Sequence, residues 1–156
     1  MRITRLTKLD VAHLQLHHAI ALFLDEREFV SVITLAGAAE EILGKLAAQV
    51  GLIPALTRRT EETQILFQHL WKSDPGVKPF VTLKNRAKNE LKHFVTGATI
   101  EVDLQEEAMR MLDRAVENYR LLHVRRSPQI AEYERTRLKL WRTKYATKPD
   151  RSSRVG

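Results

Sequence analysis

The segment FVSVITLAGAAEEILGKLAAQV, from Phe29 to Val50, constrains the fold of this chain more than any other. Its periodicity is helical and it is apolar almost all round, so other helices must enclose it. The centre, Ala36-Gly37-Ala38-Ala39, is small enough for a neighbouring helix to come close, which places this segment at the heart of a bundle. The longest weakly polar run, Phe29 to Ala39, ends in Glu40 and Glu41 and falls well short of the ~20 apolar residues of a membrane span. Gly51 is the expected stop, with Pro54 just beyond.

The rest of the chain repeats the helical pattern, and no alternating run flanked by turn signals competes with it. A first helix is expected from about Lys8 to Leu24, with Leu9, Ala12, Leu16, Ile20 and Phe23 or Leu24 on one side. Thr7 and Asp10 form an imperfect capping box at its start. The charged run Asp25 to Glu28 then breaks the chain. Residues 52 to 59 read as a loop, followed by a helix from Thr60 to Trp71 with Ile65, Leu66, His69 and Leu70 as its apolar surface. Ser73 to Gly76, SDPG, is a turn, and Pro79 leads into a helix that Thr96-Gly97 ends. Asp103 with Glu106 opens a long helix to about Val124, whose core positions are Leu104, Ala108, Leu112, Ala115, Tyr119 and Leu122. Ser127-Pro128 starts a last helix to about Tyr145. A chain of 156 residues makes one domain. The expectation is an all-α, up-down bundle of five to six helices including a basic C-terminal one over residues 1–146, then a flexible basic tail at 147–156.

Charge is unevenly placed. Lys and Arg number 26 against 19 Asp and Glu; ten of the basic and three of the acidic residues lie from Arg125 onward, and residues 1–124 balance. The whole excess therefore sits on the C-terminal segment, the natural contact for a polyanion. There Arg125, Arg126, Arg135, Lys139, Arg142 and Lys144 mix with Tyr133, Trp141 and Tyr145, a combination suited to neutralising phosphates and stacking bases. A solvated, partner-packing terminal helix reads the same residues equally well. Cysteine is absent, which excludes disulfides and thiolate chemistry, and MRITRLTKLD has no apolar core like that of a signal peptide. A soluble cytoplasmic protein that does not enter a membrane is expected.

The candidate chemistry lies in Pro79 to Val95, PFVTLKNRAKNELKHFV. Taken as one helix at ~100° per residue, Phe80, Leu83, Ala87, Leu91 and Phe94 fall within an arc of roughly 80° and need burying. Arg86, Asn89 and His93 share a second arc of about 60°, some 130° away. This i, i+3, i+7 row stacks a permanent cation, an amide and a group that titrates near neutrality. Asn89 is a mediocre helix former at a position where Ala or Glu would serve a solvated face better.

RAKNELKH, Arg86 to His93, resembles the R-x(4–6)-H signature of the HEPN superfamily, with six residues between Arg and His and Asn89 as the polar residue common inside it. The layout, a late signature helix after a long alanine-rich one, is also similar over about residues 8–124. In the tightest form of the signature Arg directly precedes Asn; here Lys88 does, ~140° from His93, whereas Arg86 lies within about 20°. The Arg role therefore goes to Arg86. The resemblance implies a four-to-five-helix bundle, usually dimeric, acting as a metal-independent endoribonuclease, the toxin of a toxin–antitoxin or defence system, or else a non-catalytic module that binds RNA, nucleotide or a partner protein. It implies Arg86, Asn89 and His93 as catalytic residues, no cofactor, an RNA substrate, a homodimer and an antitoxin partner. The chemistry is coherent because RNA carries its own nucleophile, the 2′-OH, so a proton carrier and an anion stabiliser at one phosphate suffice.

Competing signals are weaker. His13 and His17 share a helix face at a metal-compatible step, with His18 beside them, but no third ligand stands at a known spacing and HExxH is absent, so no metal site is expected. Glu40 and Glu41 read as a buried ion pair or an exposed helix edge and stay outside the site. No short helix pair has the glycine turn and basic second helix of a helix-turn-helix DNA binder.

Overall fold

In the computed structural model, residues 3–92, 99, 101–122 and 127–146 are described, and among them there are seven helices and no strand. They are α1 (Lys8–Leu24), α2 (Phe29–Gln49), α3 (Ala55–Trp71), α4 (Lys78–Lys84), α5 (Arg86–Lys92), α6 (Leu104–Leu121) and α7 (Pro128–Ala146). None of the described helices is long and apolar enough to cross a membrane. The tail at 147–156 lies outside the described residues.

Local chemistry accounts for most boundaries. At α1 the capping box is complete: Thr7 Oγ1 accepts from the Asp10 amide at 3.1 Å, and Asp10 Oδ2 accepts from the Thr7 amide at 2.8 Å. The α1–α2 turn places Glu26 and Glu28 at φ of 52° and 47°. Gly51 takes φ 77° behind α2, the left-handed stop for which glycine carries no steric cost. Asp103 Oδ1 caps α6 by accepting from the Glu106 amide, and Ser127 Oγ caps α7 by accepting from the Gln129 amide.

The core is the seam of α1, α2 and α6, closed by the first turns of α7. Leu16, Ile20 and Phe23 of α1 meet Val32, Ile33, Ala36, Ala39 and Leu43 of α2 and Ala108, Met111, Leu112, Ala115 and Tyr119 of α6. Phe23 sits edge-on to Phe29 at 5.9 Å and to Tyr133 at 5.5 Å. The expected core side of α6 is buried at Ala108, Leu112, Ala115 and Tyr119, with Leu104 and Leu122 packed partly buried against it.

Three expectations change. First, α3 begins at Ala55, inside the stretch read as loop. The fully buried Asn118 is responsible: its Oδ1 accepts from the Ala55 amide at 2.7 Å, and its Nδ2 donates to the Glu40 carbonyl at 3.1 Å. A tertiary cap of that kind has no local signature, and the polar residues Thr57 to Thr60 conceal the helix. Second, Ile65, Leu66, His69 and Leu70 are exposed rather than buried. The inward side of α3 is instead Phe67, stacked on Trp71 at 4.8 Å and edge-on to Phe80 of α4 at 5.7 Å. Third, the signature helix is interrupted. α4 ends at Lys84, Asn85 takes φ −107° and ψ 3°, and α5 starts afresh at Arg86.

Candidate functional site

The interruption at Asn85 is held from below by α6. Arg114 donates from Nη2 to Asn85 Oδ1 at 2.9 Å and from Nη1 to the Lys84 carbonyl at 3.3 Å. Its guanidinium is almost fully buried, 3.9 Å from the equally buried Glu40 of α2, and Nη2 also contacts Met111 Sδ at 3.0 Å. Burial draws the Arg114 pKa down and Glu40 opposes that pull. Of the paired acids left outside the site, Glu40 is thus the buried partner, while Glu41 is half-exposed and bound to Lys45.

Breaking the helix divides the apolar stripe. Leu83 is 68 % exposed, whereas Ala87 and Leu91 of α5 turn towards the core. Lys88 is buried with its stem over α2: a Cβ added at Gly37 would lie 2.7 Å from Lys88 Cδ. The small centre of α2 therefore admits α5, and it does so at the side chain that the tightest signature would have made arginine. Arg86 and Asn89 share the exposed side of α5. Arg86 Nε donates to Glu90 Oε1 at 2.8 Å, and Glu90 raises the Arg86 pKa. His93, the third member of the row, lies outside the described residues.

Arg86 and Ala87 line a cleft of about 690 Å³ between α4–α5 and the first half of α6. A volume of that size suits a small ligand or part of a larger one. Lys84, Arg59, Arg110 and Arg114 line it, and so do Glu90, Glu101, Asp103, Glu106 and Glu107. Most of these charges are matched: Arg110 binds Glu106 and Glu107, and Arg59 binds Glu117 Oε2 at 2.9 Å.

The basic C-terminal set divides in three. Arg125 and Arg126 lie outside the described residues. Arg135, Lys139 and Arg142 are exposed and fall within an arc of ~60° on α7. Lys144 binds Glu106 and lies 3.8 Å from Asp103, so it closes α7 over the start of α6. Of the aromatic residues grouped with them, Tyr133 is a core residue: its hydroxyl donates to the Met109 carbonyl or Asp113 Oδ1, at 3.0 and 2.8 Å. Trp141 is exposed, and the Tyr145 side chain is outside the described set.

On α1, the rings of His13 and His17 lie 4.0 Å apart and tilted by 32°, with His13 Nδ1 2.9 Å from the Tyr119 hydroxyl. Among the described residues no three His, Cys, Asp or Glu side chains gather as a metal site.

Sequence reasoning missed Arg114, Asn85 and Lys84. One signal was available: Met111, Arg114 and Asn118 follow the same i, i+3, i+7 step as Arg86, Asn89 and His93, along the edge of the apolar stripe of α6. The chain matches no protein-family model, no curated protein and no solved structure.

Proposed function

We propose that this chain is a HEPN-type RNA-cleaving domain that works without a metal ion, with Arg86, Asn89 and His93 as its catalytic row. One observation carries the reading: Arg86 and Asn89 stand exposed and one turn apart on α5, with Arg86 at the rim of a cleft of about 690 Å³. In this reaction the 2′-OH of RNA attacks the adjacent phosphorus, the P–O5′ bond breaks, and a 2′,3′-cyclic phosphate and a free 5′-OH result. His93 moves the proton, a contribution of roughly 10²–10⁴-fold. Arg86 forks onto the phosphorane oxygens, which are more charged in the transition state than in the ground state. Asn89 orients the imidazole or bonds a phosphate oxygen. A second copy of the chain supplies the facing wall. An acidic antitoxin protein covering the basic α7 would fit a toxin role.

Cleavage of RNA in excess chelator tests this. Cyclic phosphate ends are expected with the wild type and none with His93→Ala or Arg86→Ala at unchanged melting temperature. Cleavage that survives both substitutions refutes the reading. A second reading, a non-catalytic RNA-binding module, is favoured by the ion pair between Arg86 and Glu90 beside a cationic row on α7 left to solvent. Under it, neutralising Lys139 and Arg142 weakens binding and lowers its salt slope by about one for each phosphate that the protein no longer neutralises, and His93→Ala changes nothing.

A further inference from the structure

The cleft between α4–α5 and α6 contains a cation, Lys84, that no carboxylate holds in an ion pair among the described residues. Arg86 is held by Glu90, Arg110 by Glu106 and Glu107, Arg59 by Glu117, and Arg114 faces Glu40. Lys84 Nζ makes neither a hydrogen bond nor an ion pair among the described residues. Burial, and then the guanidiniums of Arg114, Arg59 and Arg110, lower its pKa; Glu62, already bound to Arg58, is the acid that opposes them. Folding alone gains nothing from sinking an ammonium among three guanidiniums, since each like charge raises its cost in a half-desolvated site.

The break at Asn85 is what brings this charge to the cleft. In an unbroken helix Lys84 and Arg86 would point ~160° apart. Here both line the same cleft. Arg114 fixes the break through the Lys84 carbonyl and Asn85 Oδ1, while its own buried Nε has no acceptor among the described residues.

We propose that the Lys84 end of the cleft is an oxyanion subsite for a phosphoryl group, with Lys84 Nζ as the direct ligand beside the guanidiniums of Arg59, Arg110 and Arg114, each of which already has its own carboxylate. An oxyanion suits it because Lys84 is the lining cation that has no ion pair among the described residues. Lysine serves such groups as a compact point charge. The subsite deepens the RNA reading and rests on it only for the source of the phosphoryl group. That source is either a backbone phosphate next to the one at Arg86 or a small phosphorylated molecule.

Thermal melting of the full chain with millimolar inorganic pyrophosphate, against sodium chloride at equal ionic strength, tests the subsite. At about ten times the dissociation constant the wild type should melt roughly 3–6 °C higher. Lys84→Gln and Lys84→Met should lose this gain, and Lys84→Arg should keep most of it. Without pyrophosphate neither neutral variant should melt below the wild type, because each removes a repelled charge. No gain in the wild type, or an equal gain in the neutral variants, overturns the subsite. Binding of an uncleavable 2′-O-methyl oligoribonucleotide separates the sources. Several-fold weaker binding by Lys84→Gln, with a salt slope lower by about one, assigns the subsite to backbone phosphate. Pyrophosphate binding without oligonucleotide binding keeps the subsite, gives it a small ligand and removes the RNA reading.

Discussion

Leucines serve opposite purposes in the two regions of this molecule. In the seam of α1, α2 and α6, Leu16, Leu43 and Leu112 are wholly enclosed, whereas Leu66 and Leu70 of α3 and Leu83 of α4 are more than half exposed. Polar bonds to α6 hold the second region in place. Asn118 caps α3, Glu117 binds Arg58 and Arg59, and Arg114 grips the Asn85 break. Burial of apolar surface is the larger and less directional force, so it sets global stability. Hydrogen bonds are individually small in net worth but directional, so they set where α3, α4 and α5 stand. The candidate site belongs to the region that is positioned rather than packed. Regions of that kind supply the local openings of a protein.

Matched truncations give the largest expected contrast. Leu16→Ala should cost about 2–5 kcal/mol, the range for emptying an enclosed leucine site. Leu66→Ala, 58 % exposed, should stay within about 0.5 kcal/mol. Urea melts of the two variants measure both. A Leu66→Ala loss as large as that of Leu16→Ala would mean that the outer face of α3 is covered in solution, and the contrast between the regions would fail.

The next effect is local. Arg114→Met keeps the volume of the side chain but strips the Lys84 carbonyl and Asn85 Oδ1 of their donor and leaves Glu40 buried without its cation. An unsatisfied buried group costs about 1–3 kcal/mol, and an uncompensated buried charge costs more, so a loss of about 2–4 kcal/mol is expected. Hydrogen exchange should sharpen the comparison. Amides of α4 and α5 should exchange far faster in the variant, while those of α2 should change only in step with global stability. Uniform loss of protection across both regions would show that Arg114 supports the core rather than positioning α5.

The same division explains what the sequence revealed. The packed region was legible because its signals are local and periodic: the all-round apolar α2, the stripe of α6, the Thr7 and Asp103 caps and the Gly51 stop. The positioned region was not, because its determinants are single polar side chains acting across the fold. Nothing near Ala55 announces the Asn118 cap, and nothing near Asn85 announces Arg114. With those bonds out of view, Phe80 to Phe94 reads as one unbroken stripe, and Leu83 is assigned to a core that it does not reach. The exposed placement of Arg86 and Asn89 was legible, because the stripe residues Ala87 and Leu91 do face inward.

The smallest effect lies on the packed side and concerns protons. His17 Nε2 is buried with no hydrogen-bond partner among the described residues, and the His13 ring lies 4.0 Å away. Burial first, and then the charge of His13, lower the His17 pKa below its ordinary 6.5, while a hydrogen bond with Gln129 works the other way. Tyr119 faces the pair from α6, and Asp10 lies on the same helix, its pKa lowered in small part by His13. The unfolded chain therefore takes up a proton near pH 6.5 that the folded chain refuses. Stability from this group is complete above the unfolded pKa and declines as pH falls below it, levelling off only below the folded pKa. Asp10, Asp74 and Glu106, whose pKa values are also lowered, likewise lose stability on acidification, but only from their unfolded range near 4 downward. Melting temperature followed from pH 7.5 to pH 5 isolates the histidine. The wild type should lose stability over that interval, and His17→Gln, which keeps a polar side chain without the proton, should lose less. Identical profiles would place the proton uptake elsewhere and leave the packed seam indifferent to pH in this range.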